Sequence, residues 1–248
     1  MKTAKLLLSL IVASTLINSA QALSRADFGE FKPDPTRFAS TIEAYLEKDA
    51  EEMPPEGAIV GVGSSSMVGW HYRIKEDLAP LTIIPRGFGG SSMSGAIYYA
   101  EDIVTKYKPR AIIVYEGDND IASGKSPETI LKHFKFFVEL CRSKLPEVRF
   151  YFISIKPSVA RWDMWPEMVE ANKLLSDFAD TDSGITYIDM GKALLDDNGQ
   201  PKEGIFKKDN LHLNDYGYDF WSAACAEVII PAEKEFEQTS CSMCSKCG

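Results

Sequence analysis

The sequence predicts an α/β fold in which a parallel sheet of five strands is covered by helices on both faces. Short runs rich in β-branched residues alternate with segments of helical periodicity, and Gly, Pro, Asp or Ser bounds each run. The runs are apolar at successive positions, which is typical of parallel strands that are buried on both faces. Together these observations predict a three-layer α/β/α sandwich.

The predicted elements alternate along the whole chain. The strands are expected at residues 58–62, 81–84, 111–115, 149–155 and 185–188. Helices are expected at residues 36–51, 93–107, 127–145, 164–178 and 216–236. The helix after Ser126 has the clearest signals, because Ser126 suits the N-cap and Pro127 the first helical position.

Length and composition indicate one globular domain. The chain has 248 residues, of which 45% are hydrophobic and 25% charged, enough for one substantial core. The formal net charge of −9 argues against nucleic acid or an anionic membrane as a partner, since both need a basic surface.

The N-terminal 22 residues resemble a secretory signal. Lys2 and Lys5 precede an apolar segment, and small residues follow up to Ala22. We therefore expect a signal peptide at residues 1–22, a single folded domain at 23–237 and a tail at 238–248. The protein is expected to be exported, to the periplasm or outside the cell; a retained N-terminal anchor is the alternative.

The five cysteines do not indicate a metal site or a cofactor. Cys141 and Cys225 lie in apolar helical patterns, where a buried free thiol is expected. Cys241, Cys244 and Cys247 form C-x-x-C-x-x-C, but without a fourth ligand this is an incomplete zinc site. A disulfide or a disordered tail is favoured over metal binding there, so we expect no metal and no cofactor.

Small polar residues follow the first three predicted strands. The loops contain GSSS at 63–66, RGFGGS at 86–91 and EGDND at 116–120, and DNLH at 209–212 precedes the last predicted helix. Ligands bind at the carboxyl ends of the strands in open parallel sheets. We therefore expect these four segments to meet at one edge of the sheet.

The residue types in these segments suit nucleophilic catalysis. A serine needs a base to take its proton, and His212 can be that base, with Asp209 three residues earlier to hold its ring. Backbone N–H groups beside a serine at a helix start, the amide of Gly90 and the side chain of Asn119 could stabilise an oxyanion.

The four segments, in this order, resemble the SGNH hydrolases, also called GDSL esterases and lipases. The resemblance implies a flavodoxin-like fold, with Ser65 as nucleophile, Asp209 as orienter and His212 as base. It also implies that the amide of Ser65, Gly90 and Asn119 form the oxyanion hole. Further segments, GDNDIASG, ISIKPSVARW and DNLHLNDYGYDFW, resemble a subgroup related to platelet-activating-factor acetylhydrolase.

The chain departs from the family pattern at two positions. Ser64 stands where the family name has Asp, and Asp118 stands where Gly is common. Both adjoin predicted catalytic positions, so they bear on substrate preference and local hydrogen bonding. His71 and His133 are poor alternatives as the base, since neither has an acid at suitable spacing.

The predicted reaction is hydrolysis of carboxylic esters with short, acetyl-type acyl groups. Between the catalytic segments there is no apolar insertion that could bind a long chain, whereas Arg161, Trp162 and Trp165 suit a polar or carbohydrate-like alcohol. Two alternatives remain open: an O-acyltransferase that acylates a carbohydrate hydroxyl, and a non-catalytic module that binds a ligand on the same fold.

Overall fold

The computed structural model contains one parallel sheet of five strands. It describes residues 23–32 and 34–244, with side chains up to residue 237, so the predicted signal segment lies outside the described residues. The strand order is β2-β1-β3-β4-β5, and every neighbouring pair is parallel. The strands are β1 (Ile59–Gly63), β2 (Ile83–Gly87), β3 (Ala111–Tyr115), β4 (Arg149–Ile153) and β5 (Ile185–Ile188).

Helices connect the strands and cover both faces of the sheet. They are α1 (Ala39–Glu51), α2 (Ser65–Trp70), α3 (Ile74–Asp77), α4 (Met93–Tyr98), α5 (Ala100–Ile103), α6 (Asp118–Ala122), α7 (Pro127–Arg142), α8 (Trp165–Ala179), α9 (Met190–Leu194) and α10 (Asp215–Cys244). Short 3₁₀ turns lie at Arg25–Asp27, Pro35–Phe38, Thr105–Tyr107 and Val159–Met164.

Alternate residues of each strand enter two separate cores. In β3, Ile112 and Val114 pack with α1, α4, α5, α7 and α8, whereas Ala111, Ile113 and Tyr115 pack with α2, α3, α9 and α10. Because successive side chains of a strand point to opposite faces, a strand buried on both faces must be apolar throughout. The predicted three-layer sandwich is confirmed.

The strand order fixes where a ligand can bind. From β1 the chain crosses to β2 on one side of the sheet and then to β3 on the other, so the switch point lies between β1 and β3. The order 2-1-3-4-5 is flavodoxin-like, with a crevice at the carboxyl ends of the two strands on either side of the switch point.

Most element boundaries agree with the sequence, but the helix predicted at residues 93–107 is wrong. The helix breaks at Tyr99, where the backbone has φ −99° and ψ 8°, and again at Val104. Tyr99 is buried, and its hydroxyl donates to the carbonyl of Pro35 at 3.1 Å. Tertiary packing of this ring against the N-terminal segment accompanies the break.

Two further predictions concern the C-terminal half and the cysteines. The last helix continues to Cys244, past the predicted end of the domain at residue 237. The side chains of Cys241 and Cys244, and all of Cys247, lie outside the described residues. Cys141 and Cys225 are buried free thiols, as predicted.

Among the described residues, no helix combines the length and apolar character needed to cross a membrane.

A buried carboxylate fastens α10 to the end of the sheet opposite the crevice. Glu233 is fully buried and accepts hydrogen bonds from Arg110 at 3.0 Å, Arg149 at 2.7 Å and Tyr151 at 2.8 Å. Arg110 directly precedes β3 and Arg149 begins β4. One carboxylate therefore joins the last helix to two central strands.

Glu233→Ala is expected to lower the free energy of unfolding by about 3–5 kcal/mol, because it removes the counter-charge of Arg149 and one of the two carboxylates that pair with Arg110. Equilibrium urea unfolding measures this. Lys173→Ala is the control: the pair of Lys173 with Asp177 is exposed (side chains 71% and 57% exposed), and its loss should cost at most about 1 kcal/mol. Equal small losses for both variants would contradict the anchoring role of Glu233.

Candidate active site

Ser65, His212 and Asp209 form a chain of hydrogen bonds at the carboxyl end of the sheet. Ser65 Oγ lies 2.9 Å from His212 Nε2, and His212 Nδ1 lies 2.7 Å from Asp209 Oδ2. The contact between Ser65 and His212 joins residues 147 positions apart in the chain. Such a nucleophile, base and orienting acid in series is the arrangement that activates a serine hydroxyl.

The end of β1 positions Ser65. Gly63 closes the strand, and a Cβ atom there would lie 2.3 Å from the carbonyl oxygen of Tyr115 in β3, so no other residue fits without displacement. The N–H of Ser64 donates to that same carbonyl at 3.1 Å. Ser65 then begins α2, where its own N–H has no partner within the helix. Ser64 and Ser66 are buried, whereas Ser65 is partly exposed.

Asp209 folds the loop that carries His212 and also orients the ring. Its Oδ1 accepts the backbone N–H groups of Leu211 and His212, both at 3.0 Å, while Oδ2 accepts from the imidazole. Asn210, between Asp209 and Leu211, has φ 56°, a left-handed conformation that asparagine tolerates well. Hydrogen bonds from the side chain and backbone of His212, and from Leu211, lower the pKa of Asp209, which keeps it a carboxylate.

The two other predicted oxyanion donors, Gly90 and Asn119, lie in loops that contact each other, and the glycine loop approaches Ser65. Gly90 has φ 78° and open space where a side chain would stand, and a Cβ atom at the preceding Gly89 would contact Ser65 Cβ at 4.0 Å. Asn119 lies in α6 and donates from Nδ2 to the carbonyl of Ser91 at 2.8 Å. The glycine loop and the asparagine loop are therefore joined directly to each other.

The three predicted substrate contacts lie in the segment between β4 and α8. Arg161 is largely buried (side chain 17% exposed), and its guanidinium reaches Asn119 Oδ1 at 2.9 Å and Asp118 Oδ2 at 3.2 Å. Trp162 and Trp165 are half-buried and stack on each other, with ring centroids 5.9 Å apart. Arg161 thus contacts a predicted oxyanion donor, and a substrate contact by Arg161 or by either tryptophan stays a prediction.

Several residues that support the site escaped the sequence analysis. Lys156 is buried and donates to the carbonyl of Leu211 at 2.8 Å, next to His212, and burial lowers its pKa to about 8. Arg37 donates to the carbonyl of Gly90 at 2.7 Å, and Tyr45 donates to that of Gly87. The two partners of each contact are far apart in the sequence. The local sequence around each residue therefore gave little signal that it supports the site.

His71 holds the glycine loop rather than acting as a base. Its Nε2 accepts the N–H of Gly87 at 3.0 Å, so the neutral ring carries its proton on Nδ1. Burial, and secondarily the charge of Arg86, lower its pKa to about 4. His133 is buried on α7, away from the triad. Among the described residues, no group of three potential metal ligands is present.

A family model agrees with this geometry. The model of the GDSL-like lipase/acylhydrolase family matches residues 56–220, a span that contains Ser65, Asp209 and His212 and the predicted oxyanion donors Gly90 and Asn119. No curated protein matches the chain.

Solved structures of several esterase-related proteins have the same fold. A GDSL-like lipase from Bacteroides thetaiotaomicron is 18% identical, with a TM-score of 0.67 over 77% of this chain and 98% of that one. A protein from Streptococcus pneumonia described as a platelet activating factor is 18% identical, with a TM-score of 0.66 over 76% and 91%. An acetyl xylan esterase is 19% identical, with a TM-score of 0.56 over 70% and 100%. At these identities the likeness concerns the fold.

Acidification is expected to weaken the fold through His71. Its pKa is about 4 in the folded state and about 6.5 in the unfolded chain, so between these values only the unfolded state binds the proton. Stability from His71 is therefore present above pH 6.5 and lost as the pH falls towards 4. His71→Gln keeps an acceptor that does not titrate. Urea unfolding at several pH values should show the wild type losing stability relative to His71→Gln over this window; a constant difference would contradict it.

Proposed function

The chain belongs to the GDSL-like lipase/acylhydrolase family of carboxylic ester hydrolases, and we propose that it cleaves short-acyl esters through an acyl-Ser65 intermediate. The observation that carries the proposal is the pair of contacts at 2.9 Å and 2.7 Å that links Ser65 to His212 and His212 to Asp209. A module that only binds a ligand would not need this alignment.

The proposed reaction has two steps. Ser65 Oγ attacks the ester carbonyl while His212 Nε2 takes the hydroxyl proton, and the resulting imidazolium is stabilised by the Asp209 carboxylate. The tetrahedral intermediate expels the alcohol, which receives that proton from His212, and leaves the acyl group on Ser65. Water then attacks the acyl-enzyme with His212 again as base, which releases the acid and regenerates Ser65.

The negative charge that develops on the carbonyl oxygen needs fixed donors. The N–H of Ser65, the N–H of Gly90 and the second hydrogen of Asn119 Nδ2 are the proposed set, since the first hydrogen of Nδ2 is used by Ser91. Such donors stabilise the transition state because they are in place before the charge appears, and removal of one typically costs about 10²–10³ in kcat.

The surface beside the oxyanion hole supports a short acyl group. A groove next to Gly90 and Asn119 is lined by the polar side chains of Arg37, Thr41, Ser92 and Ser123 and by the apolar side chains of Phe38 and Ala122. A long alkyl chain would lie partly against these polar groups and lose part of the benefit of apolar burial. The acetyl xylan esterase with the same fold makes an acetylated carbohydrate a reasonable substrate class to test.

The proposed place of action is outside the cytoplasm, in the periplasm or beyond the cell. The support is the pattern of residues 1–22, in which two lysines precede an apolar segment that ends in small residues. N-terminal sequencing of the protein recovered from its native host tests the proposed cleavage after Ala22.

Ser65→Ala is expected to lower kcat for p-nitrophenyl acetate by about 10⁴ or more, because no hydroxyl remains to form the acyl-enzyme. Ser64→Ala and Ser66→Ala are the matched controls and should be far milder, since both hydroxyls are buried beside the nucleophile. Mass spectrometry after treatment with a fluorophosphonate should locate the adduct on Ser65. An adduct on Ser64 or Ser66 would contradict the assignment.

The acyl preference is expected to favour acetate over longer chains in a series of p-nitrophenyl esters from acetate to palmitate. If an apolar channel were present, each buried methylene would contribute about 0.8 kcal/mol and kcat/KM would rise steeply with length. A clear optimum at octanoate or longer would refute the short-acyl proposal while leaving the serine mechanism intact.

A further inference from the structure

The segment between β4 and α8 carries none of the triad residues, yet it contacts both halves of the proposed site. Lys156 Nζ donates to the carbonyl of Leu211 at 2.8 Å, and the N–H of Ala160 donates to that of Asn210 at 3.0 Å. Arg161 Nη2 donates to Asn119 Oδ1 at 2.9 Å. The segment thus bridges the loop that carries the base and the helix that carries the oxyanion amide.

The contact with Arg161 determines which way the amide of Asn119 faces. A guanidinium has donors and no acceptor, so the Asn119 atom that it contacts must be the oxygen. A reversed amide would bring its NH₂ group against the N–H groups of Arg161 and its oxygen against the carbonyl of Ser91. The observed orientation satisfies both ends and leaves one Nδ2 hydrogen for a substrate carbonyl.

Asp118 supplies the counter-charge that lets Arg161 stay buried. Its carboxylate is 4% exposed and lies 3.2 Å from Arg161 Nη1. A buried guanidinium without a partner would be costly. Asp118 stands where the family pattern commonly has Gly. A buried carboxylate at this position needs a cation nearby, and the buried Arg161 needs an anion, so each charge explains the presence of the other.

From these contacts we propose that Arg161 is a positioning residue, which holds the Asn119 amide with an N–H directed at the ester carbonyl. This role rests on the proposed function, because the amide it holds is a proposed oxyanion donor. In this role Arg161 acts through Asn119: its Nη2 is bonded to Asn119, its Nη1 faces Asp118, and its side chain is 17% exposed.

A double-mutant cycle on kcat for p-nitrophenyl acetate tests the role, with the variants Asn119→Ala, Arg161→Met and both together. Asn119→Ala should lower kcat by about 10²–10³. Arg161→Met should lower kcat by about 10-fold or more with KM changed less than about threefold, as expected when only transition-state stabilisation is lost. Because Arg161 acts through Asn119, the double variant should match Asn119→Ala within about twofold.

If the fold-loss in kcat of the double variant equals the product of the two single losses, Arg161 acts independently of Asn119. That result would overturn the proposed positioning role of Arg161. A wild-type protein that hydrolyses none of the esters would instead overturn the proposed function, and the role of Arg161 with it. The two failures are therefore distinct.

Two further variants separate positioning from folding. If Arg161→Met alone is unstable, the variant that combines Asp118→Asn with Arg161→Met removes both buried charges together. The cycle can then be repeated with this combined variant in place of Arg161→Met, with and without Asn119→Ala. Arg142→Met is the matched control: Arg142 also pairs with an aspartate, Asp182, and has a 25% exposed side chain, but it lies at the end of α7 near the start of β5. Its kcat should be unchanged, and a loss equal to that of Arg161→Met would overturn the proposal.

Discussion

The close approach of β1 to β3 at the switch point is the constraint on which the rest of the site depends. At Gly63 the strands come so near that a Cβ atom would meet the Tyr115 carbonyl at 2.3 Å, and that carbonyl accepts the N–H of Ser64. The carbonyl of Gly63 in turn accepts the N–H of Phe88 at 2.8 Å. Backbone groups from three strand ends are thereby locked together, so the serine, glycine and asparagine loops start from fixed points.

His212, the proposed base, comes from the C-terminal part of the chain, and contacts of α10 hold its loop at the carboxyl end of the sheet. Tyr218 in its first turn donates to the carbonyl of Ser66 at 2.8 Å, and Gly69 leaves room for that ring against α2. The loop before the helix is held by Lys156 and Ala160. Contacts made by residues other than Ser65, His212 and Asp209 therefore help to set the 2.9 Å distance between Ser65 and His212.

Periodicity was enough to predict the sheet and its layers, because strands buried on both faces leave local signals. Motif order singled out Ser65, Asp209 and His212, and the fold brings their side chains within hydrogen-bond distance. The strands at Ala111–Tyr115 and Ile185–Ile188 match the predicted bounds. What local sequence could not supply was the partner of each polar side chain. From residue type and position alone, Arg161 was predicted to contact the substrate. Its contact with Asn119, 42 residues earlier in the chain, is visible only in the fold. The break at Tyr99 likewise follows from a contact with Pro35.

The charges around the oxyanion hole must balance for an oxyanion to form there. Glu116, Asp118 and Asp120 are all buried within three residues of Asn119 in the chain, and an uncompensated charge there would oppose the formation of the proposed oxyanion. Each charge is offset differently. Burial raises the pKa of Glu116 well above its usual range, which favours the neutral acid; Arg161 faces Asp118; Lys125 lies 2.7 Å from Asp120. An acidic protein can thus accommodate the proposed oxyanion, because the pKa of Glu116 is raised and Asp118 and Asp120 are each paired with a cation.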